Sequence, residues 1–126
     1  MVEVSVNQGK LQIHKVWAVG DVGKYIVNPS GAMHQVQGSI LDGLSQALYQ
    51  QVPIDGGAKL VNYHQHKMLT MAEVPEVDVE FLKTDYPATG LGEPALPPVI
   101  PALCNAVFAA TGKRIRRLPI TAEIFT

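Results

Sequence analysis

The chain has 126 residues, a length that holds one domain and one apolar core. Its formal net charge of −1 excludes the basic footprint of a nucleic-acid or anionic-membrane binder, and its one cysteine, Cys104, excludes an internal disulfide framework or a multi-cysteine metal site. Hydrophobic residues make up 47% and charged residues only 17%, against about 25% charged in an average domain, so part of the surface is expected to be covered by other protein.

Met1-Val2-Glu3-Val4 lacks the basic start and apolar run of a signal peptide, which makes a cytoplasmic location the expectation. Val2, Val4 and Val6 alternate with Glu3 and Ser5, the period of a half-buried strand. Asn7-Gln8-Gly9-Lys10 reads as a turn, and Leu11, Ile13 and residues 16–19 continue into a second strand, so 2–19 is predicted to be a hairpin. Gly20-Asp21-Val22-Gly23 ends it. Asn28-Pro29-Ser30-Gly31 is turn chemistry, with Ser30 as the predicted N-cap of a helix over 31–50. Ala32, Val36, Ile40, Leu44 and Leu48 form the apolar stripe of that helix, widened by Met33, Leu41 and Ala47. Gly38 and Gly43 lie inside it, each costing about 1 kcal/mol against alanine, which predicts close approach of another backbone or a ligand.

Asp55-Gly56-Gly57 is a loop, followed by a weakly patterned strand near 59–63. Val77, Val79 and Phe81 alternate with Asp78 and Glu80 as a third clear strand. A second helix is predicted over 98–111, with Ile100, Leu103, Val107 and Ala110 buried, Gly112 as C-cap and Lys113 beyond. Residues 94–112 carry no charge, but Pro94, Pro97, Pro98 and Pro101 would interrupt a membrane span. Residues 115–120 are predicted as an edge strand, the one place in a sheet that tolerates Pro119. The pattern β-β-α-β-α-β predicts one two-layer α+β domain over 1–126: a mixed four-stranded sheet with both helices on one face.

The densest chemistry lies in Thr89-Gly90-Leu91-Gly92-Glu93-Pro94. A carboxylate follows a Gly-x-Gly turn and precedes a proline suited to open a helix, the kind of fixed mount a general base needs. The plainer alternative is a helix cap, with Glu93 near the positive end of a helix dipole. Gln35-Val36-Gln37-Gly38 offers an amide that both donates and accepts, beside a glycine that would let a flat heterocycle approach; solvated glutamines are the plainer alternative. His64-Gln65-His66 would put two imidazoles on one strand face, half a metal site at best. His14 and His34 are isolated. Lys113, Arg114, Arg116 and Arg117 could meet an anion, or could be a solvated helix terminus.

Two segments together resemble one family. Asn28-Pro29, Gln35-Val36-Gln37-Gly38-Ser39-Ile40 and Gly43-Leu44 resemble the Asn-Pro…Gln-(Val/Ile)-Glu-Gly…Gly-Leu segment of the molybdenum hydroxylases, the xanthine dehydrogenase and aldehyde oxidase superfamily. Leu91-Gly92-Glu93-Pro94 with the helix that follows resembles their Val-Gly-Glu-Pro segment, and residues 101–116 look like the large (beta) subunit of isoquinoline 1-oxidoreductase-like enzymes. The resemblance covers the C-terminal end of a much longer molybdopterin-binding subunit. It implies a molybdenum–molybdopterin cofactor in the complete enzyme, with Glu93 as the base at the metal, Gln35 hydrogen-bonding the pterin and Gly92 in backbone contact beside the metal. No residue of this chain is implied as a metal ligand. Gln37 stands where the family usually has Glu. The resemblance further implies a buried Glu93, an N-heterocycle or aldehyde substrate hydroxylated with oxygen from water, and partners in the remaining molybdopterin-binding domains and an iron–sulfur subunit or domain. It leaves a periplasmic location open for the full enzyme, and implies that the chain alone lacks activity. Two readings stand against it: a non-catalytic interaction module of the same fold, and an unrelated enzyme with His64, His66 and Glu93 around a metal.

Overall fold

The computed structural model describes residues 1–125, Glu123 by its backbone alone; Thr126 lies outside the described residues. The expected hairpin forms from β1 (Val2–Asn7) and β2 (Lys10–Asp21), which pair antiparallel around a tight turn in which both Gln8 and Gly9 have positive φ. The register slips between Glu3 and Val4, where His14 of β2 is the extra residue, a bulge that keeps Ile13 and Leu11 on the same inner face as Val16. β3 (Glu76–Leu82) pairs parallel to β2, from Lys15 opposite Glu76 to Asp21 opposite Leu82. The sheet is therefore mixed, with order β1-β2-β3.

Alternation decides its two faces. Val2, Val16, Ala18, Val77, Val79 and Phe81 turn inward to the core. Lys15 lies on the other face, bridging Glu76 at 2.7 Å and Asp78 at 2.6 Å across the parallel pair. These exposed pairs fix register more than they add stability.

Two helices cover the inner face. α1 (Pro29–Leu48) buries Val36, Ile40, Leu44 and Ala47, the stripe read from the sequence. α2 (Leu96–Thr111) buries Val99, Leu103 and Val107 and ends at Gly112, as expected; Ala110 is exposed instead of buried. α2 lies over β1 and against α1. The helices meet at Gly43, where a Cβ would come within 2.5 Å of the Val99 side chain and 3.0 Å of the Leu96 carbonyl. The close backbone approach predicted there is α2. At Gly38 a Cβ would meet nothing within 4 Å.

Four local expectations are corrected. The N-cap of α1 is Asn28, not Ser30: its Oδ1 accepts from the Gly31 N–H at 2.9 Å, which leaves Pro29 to open the helix where no N–H is needed. Pro94 does not open α2; residues 93–96 form a turn, with the Leu96 N–H on the Glu93 carbonyl at 3.1 Å, and Pro97 occupies the first turn of the helix. Residues 59–63 form no strand. The Gln65 side chain accepts from the Val61 and Asn62 N–H groups and folds the segment into a 3₁₀ turn over Tyr63–Gln65. Residues 115–120 form no fourth strand, so among the described residues the sheet has three strands, not four. The Ile120 N–H goes instead to the Ala47 carbonyl at 2.8 Å, tying the tail to the end of α1.

The long connection from α1 to β3 is tethered by side chains. Buried Ser45 accepts from the Leu69 N–H at 3.0 Å. Tyr49 donates its hydroxyl to Glu73, which also accepts from the hydroxyl and N–H of Thr70. The Tyr49 hydrogen bond, then those of Thr70, hold the Glu73 carboxyl down to about 2. Burial, then the bond to Glu73, pushes the Tyr49 hydroxyl up to about 12.

Two outcomes follow from this packing. Gly43→Ala should lower stability by about 1–2 kcal/mol, overpacking outweighing the gain in helix propensity, whereas Gly38→Ala should raise it by up to about 1 kcal/mol; urea midpoints at constant m-value report both. The tether sets a pH window. A lowered Glu73 contributes stability above its ordinary 4.5 that is lost as pH falls toward about 2, and a raised Tyr49 contributes stability below 10 that is lost as pH rises through about 12. Urea midpoints measured across pH should therefore fall on both sides of a neutral plateau, and Tyr49→Phe should flatten both limbs; limbs of undiminished slope in the variant would contradict the tether.

Candidate active site

The segment carrying Glu93 is positioned from both ends. Upstream, two hydrogen bonds join it to the end of β2: the Lys24 N–H to the Tyr86 carbonyl and the Thr89 N–H to the Val22 carbonyl, each 3.0 Å. Gly23 permits this. Its φ is +87°, and a Cβ there would stand 2.4 Å from the Pro87 carbonyl oxygen. Asp21 braces the same corner, accepting from the Gly23 N–H and from the Thr84 hydroxyl. Downstream, the turn at 93–96 feeds into α2.

Between these anchors, the segment runs between two hollows. Leu91 is half-buried against the core and lines an apolar cavity of about 330 Å³ with Val2, Val16, Val36 and Val99. Gly92 and Glu93 line a groove of about 320 Å³ on the other side, whose opposite wall is Gly38, Ser39 and Asp42 of α1.

Gln35 and Gly92, 57 residues apart, meet: the Gln35 Nε2 donates to the Gly92 carbonyl at 2.9 Å. The Ser39 hydroxyl donates to the same oxygen at 3.1 Å. Glu93 is exposed, contrary to the burial expected of it, so any cover must come from outside the described residues. Its carboxylate makes no hydrogen bond or ion pair among the described residues, and the N-cap position of α2, Ala95, has no side-chain cap. Glu93 thus makes no side-chain cap hydrogen bond, although it keeps the place before α2, near the positive end of the helix dipole, that the plainer reading gave it. The rest of the Gln35 amide, one N–H and Oε1, is likewise unengaged among the described residues.

Sequence reasoning missed Ser39 and Asp42. The signal was available: positions 35, 39 and 42 share one face of a helix. Gln37, on another face, donates to the Val77 carbonyl at 3.3 Å, a role for an amide that a carboxylate could not fill. His64 lies in its 3₁₀ turn, and among the described residues no three His, Cys, Asp or Glu side chains gather to hold a metal ion, so the His64–His66–Glu93 alternative is not formed. His14 meets the Ser5 hydroxyl at 2.7 Å on the outer sheet face. The basic residues 113–117 follow the far end of α2, about 24 Å of helix away from Glu93, where Arg114 stacks on Phe108. Cys104 is half-buried, and burial pushes its thiol up. No helix among the described residues is long and apolar enough to cross a membrane.

A family model described as a molybdopterin cofactor-binding domain matches residues 1–75. The chain belongs to that family. Over 121 residues it is 35% identical to subunit beta of isoquinoline 1-oxidoreductase from Brevundimonas diminuta, which covers 94% of this chain and 15% of the relative. It is 36% identical over 128 residues to the xanthine dehydrogenase molybdenum-binding subunit of Escherichia coli O157:H7, covering 95% and 17%. It is 37% identical over 120 residues to a membrane-bound aldehyde dehydrogenase of Gluconacetobacter polyoxogenes whose name specifies pyrroloquinoline quinone, covering 94% and 15%. Among solved structures, quinoline 2-oxidoreductase from Pseudomonas putida 86 superposes with a TM-score of 0.82 at 26% identity, over 92% of this chain and 16% of that one. This molybdopterin cofactor-binding domain spans between 10% and 18% of the length of the curated relatives it matches.

Proposed function

We propose that this domain forms one wall of the cofactor site of a molybdenum-dependent hydroxylase subunit, with Glu93 as the base at the metal, Gln35 on the pterin and Gly92 as a backbone contact. The observation that carries this reading is the pair of donors on the Gly92 carbonyl. Two motifs that a solvated helix and a helix cap would leave unrelated are joined at one atom, beside a carboxylate left unpaired among the described residues. The groove fits the cofactor's chemistry. It is bounded by two glycines, Gly38 and Gly92, at which a Cβ would meet nothing within 4 Å, so a planar ring can lie against backbone. The free half of the Gln35 amide has the donor–acceptor pair that matches a pterin amide edge.

When bound, the cofactor supplies the two-electron redox capacity of the reaction. This chain's residues do the rest of what is proposed here. Gln35 orients the pterin by hydrogen bonds, Gly92 allows close approach, and the Glu93 carboxylate removes a proton from the water whose oxygen enters the product. The substrate proposed is an N-heterocycle or an aldehyde, in keeping with the names of the relatives. The exposure of Glu93 points the same way as the low charge content: the groove closes only against the remaining molybdopterin-binding domains, which are the proposed partners together with an iron–sulfur subunit or domain. Alone, the chain is proposed to be inactive.

In the complex reassembled with those domains, Glu93→Gln should lower turnover by about 10²–10⁴-fold, the usual contribution of a positioned base, with molybdenum content per complex unchanged. An unchanged turnover would remove Glu93 from the mechanism.

A further inference from the structure

We propose that Ser39 is a positioning residue for Glu93, fixing the carboxylate's mount independently of Gln35; the inference rests on the reading of Glu93 as the base. The Gly92 carbonyl and the Glu93 N–H belong to one rigid peptide plane, so whatever holds the Gly92 oxygen also sets the Glu93 Cα. A carbonyl oxygen offers two lone pairs, and both are used here, by Gln35 at 2.9 Å and by Ser39 at 3.1 Å. One donor would leave the plane free to pivot about a single hydrogen bond. Two donors one helical turn apart on α1 define its orientation.

The two donors are not equivalent. Gln35 is exposed and is proposed to face the cofactor, so its hydrogen bond to Gly92 is shared with another duty. Ser39 is half-buried on the side of α1 nearer α2 and has no other hydrogen-bond partner among the described residues. It stands on a helix locked to α2 through Gly43. Its short side chain reaches the Gly92 oxygen with one rotatable bond, so little freedom is lost in holding it. Ser39 is therefore the fixed point of the mount and Gln35 the link between mount and cofactor. Near-attack geometry is sensitive at this level, since a displacement of about 1 Å can cost on the order of 10²-fold in rate.

The test has two parts. Gly92-Glu93 is the chain's one Gly-Glu pair, so labelling with carbonyl-¹³C glycine and ¹⁵N glutamate isolates a single correlation from this peptide. Ser39→Ala should move the Gly92 carbonyl resonance upfield in the 126-residue chain, while Ser39→Thr should leave it near the wild-type position; a resonance unmoved in Ser39→Ala overturns the inference. In the reassembled complex, Ser39→Ala should lower kcat by about tenfold or more with KM within about twofold, and Ser39→Thr should restore kcat. Glu93→Gln is measured alongside. Wild-type kcat in Ser39→Ala beside an inactive Glu93→Gln overturns the role of Ser39 alone, whereas full activity in Glu93→Gln overturns the base reading and this inference with it.

Discussion

The site depends on one carbonyl oxygen. Gly92 presents it to two donors on α1, and the peptide plane that contains it carries Glu93. For those bonds to exist, α1 and the loop before α2 must lie at a fixed separation. Gly43 sets that separation by letting the Val99 side chain and the Leu96 carbonyl close on the helix axis. Gly23 sets the other end by letting residues 86–89 lie against the exit of β2. Both are close approaches to the backbone of a glycine, by the Val99 side chain and Leu96 carbonyl at Gly43 and by the Pro87 carbonyl at Gly23, and they position the segment although Glu93 itself is exposed.

The polar and apolar surfaces of the domain divide in the same way. The outer sheet face is solvated by Lys15, Glu76 and Asp78, whereas the inner face and both helices share one core. Between the α1 stripe and its solvated side lies the row of Gln35, Ser39 and Asp42, neither buried nor ion-paired; Ser39 and Asp42 line the groove and Gln35 sits one turn away, on the Gly92 carbonyl. A groove lined by a carboxylate that is unpaired among the described residues, with a half-used amide beside it, is poorly completed by those residues alone. Its relatives are several times longer, which accords with the missing wall lying in the rest of such a subunit.

Much of this was legible in the sequence because local rules and the fold agreed. The hairpin, β3, α1 and α2 follow their hydrophobic periods closely, and Gly112 ends α2 as read. The failures share a cause: tertiary hydrogen bonds competed with local pattern. Residues 115–120 have strand character, but the Ile120 N–H is taken by Ala47 of α1. Residues 59–63 have an extended pattern, but the Gln65 side chain gathers the Val61 and Asn62 N–H groups. Ser30 is a good N-cap, but Asn28 precedes a proline and wins the position. The two segments that meet at the Gly92 carbonyl, with Gln35 on one and Glu93 on the other, were legible through their motifs. The role of Ser39 needed more: helix periodicity puts it on the face of Gln35, but its partner is a backbone carbonyl 53 residues away.

In the proposed assembly, residues 35–39 and 90–93 form one wall facing the cofactor and the rest of the subunit. Hydrogen–deuterium exchange of this chain, free and then assembled with the cofactor-loaded remaining domains, tests it most directly. Both segments should become protected together on assembly, while residues 113–117 beyond the far end of α2 exchange as before. Protection confined to other surfaces, with both segments exchanging as in the free chain, would contradict it.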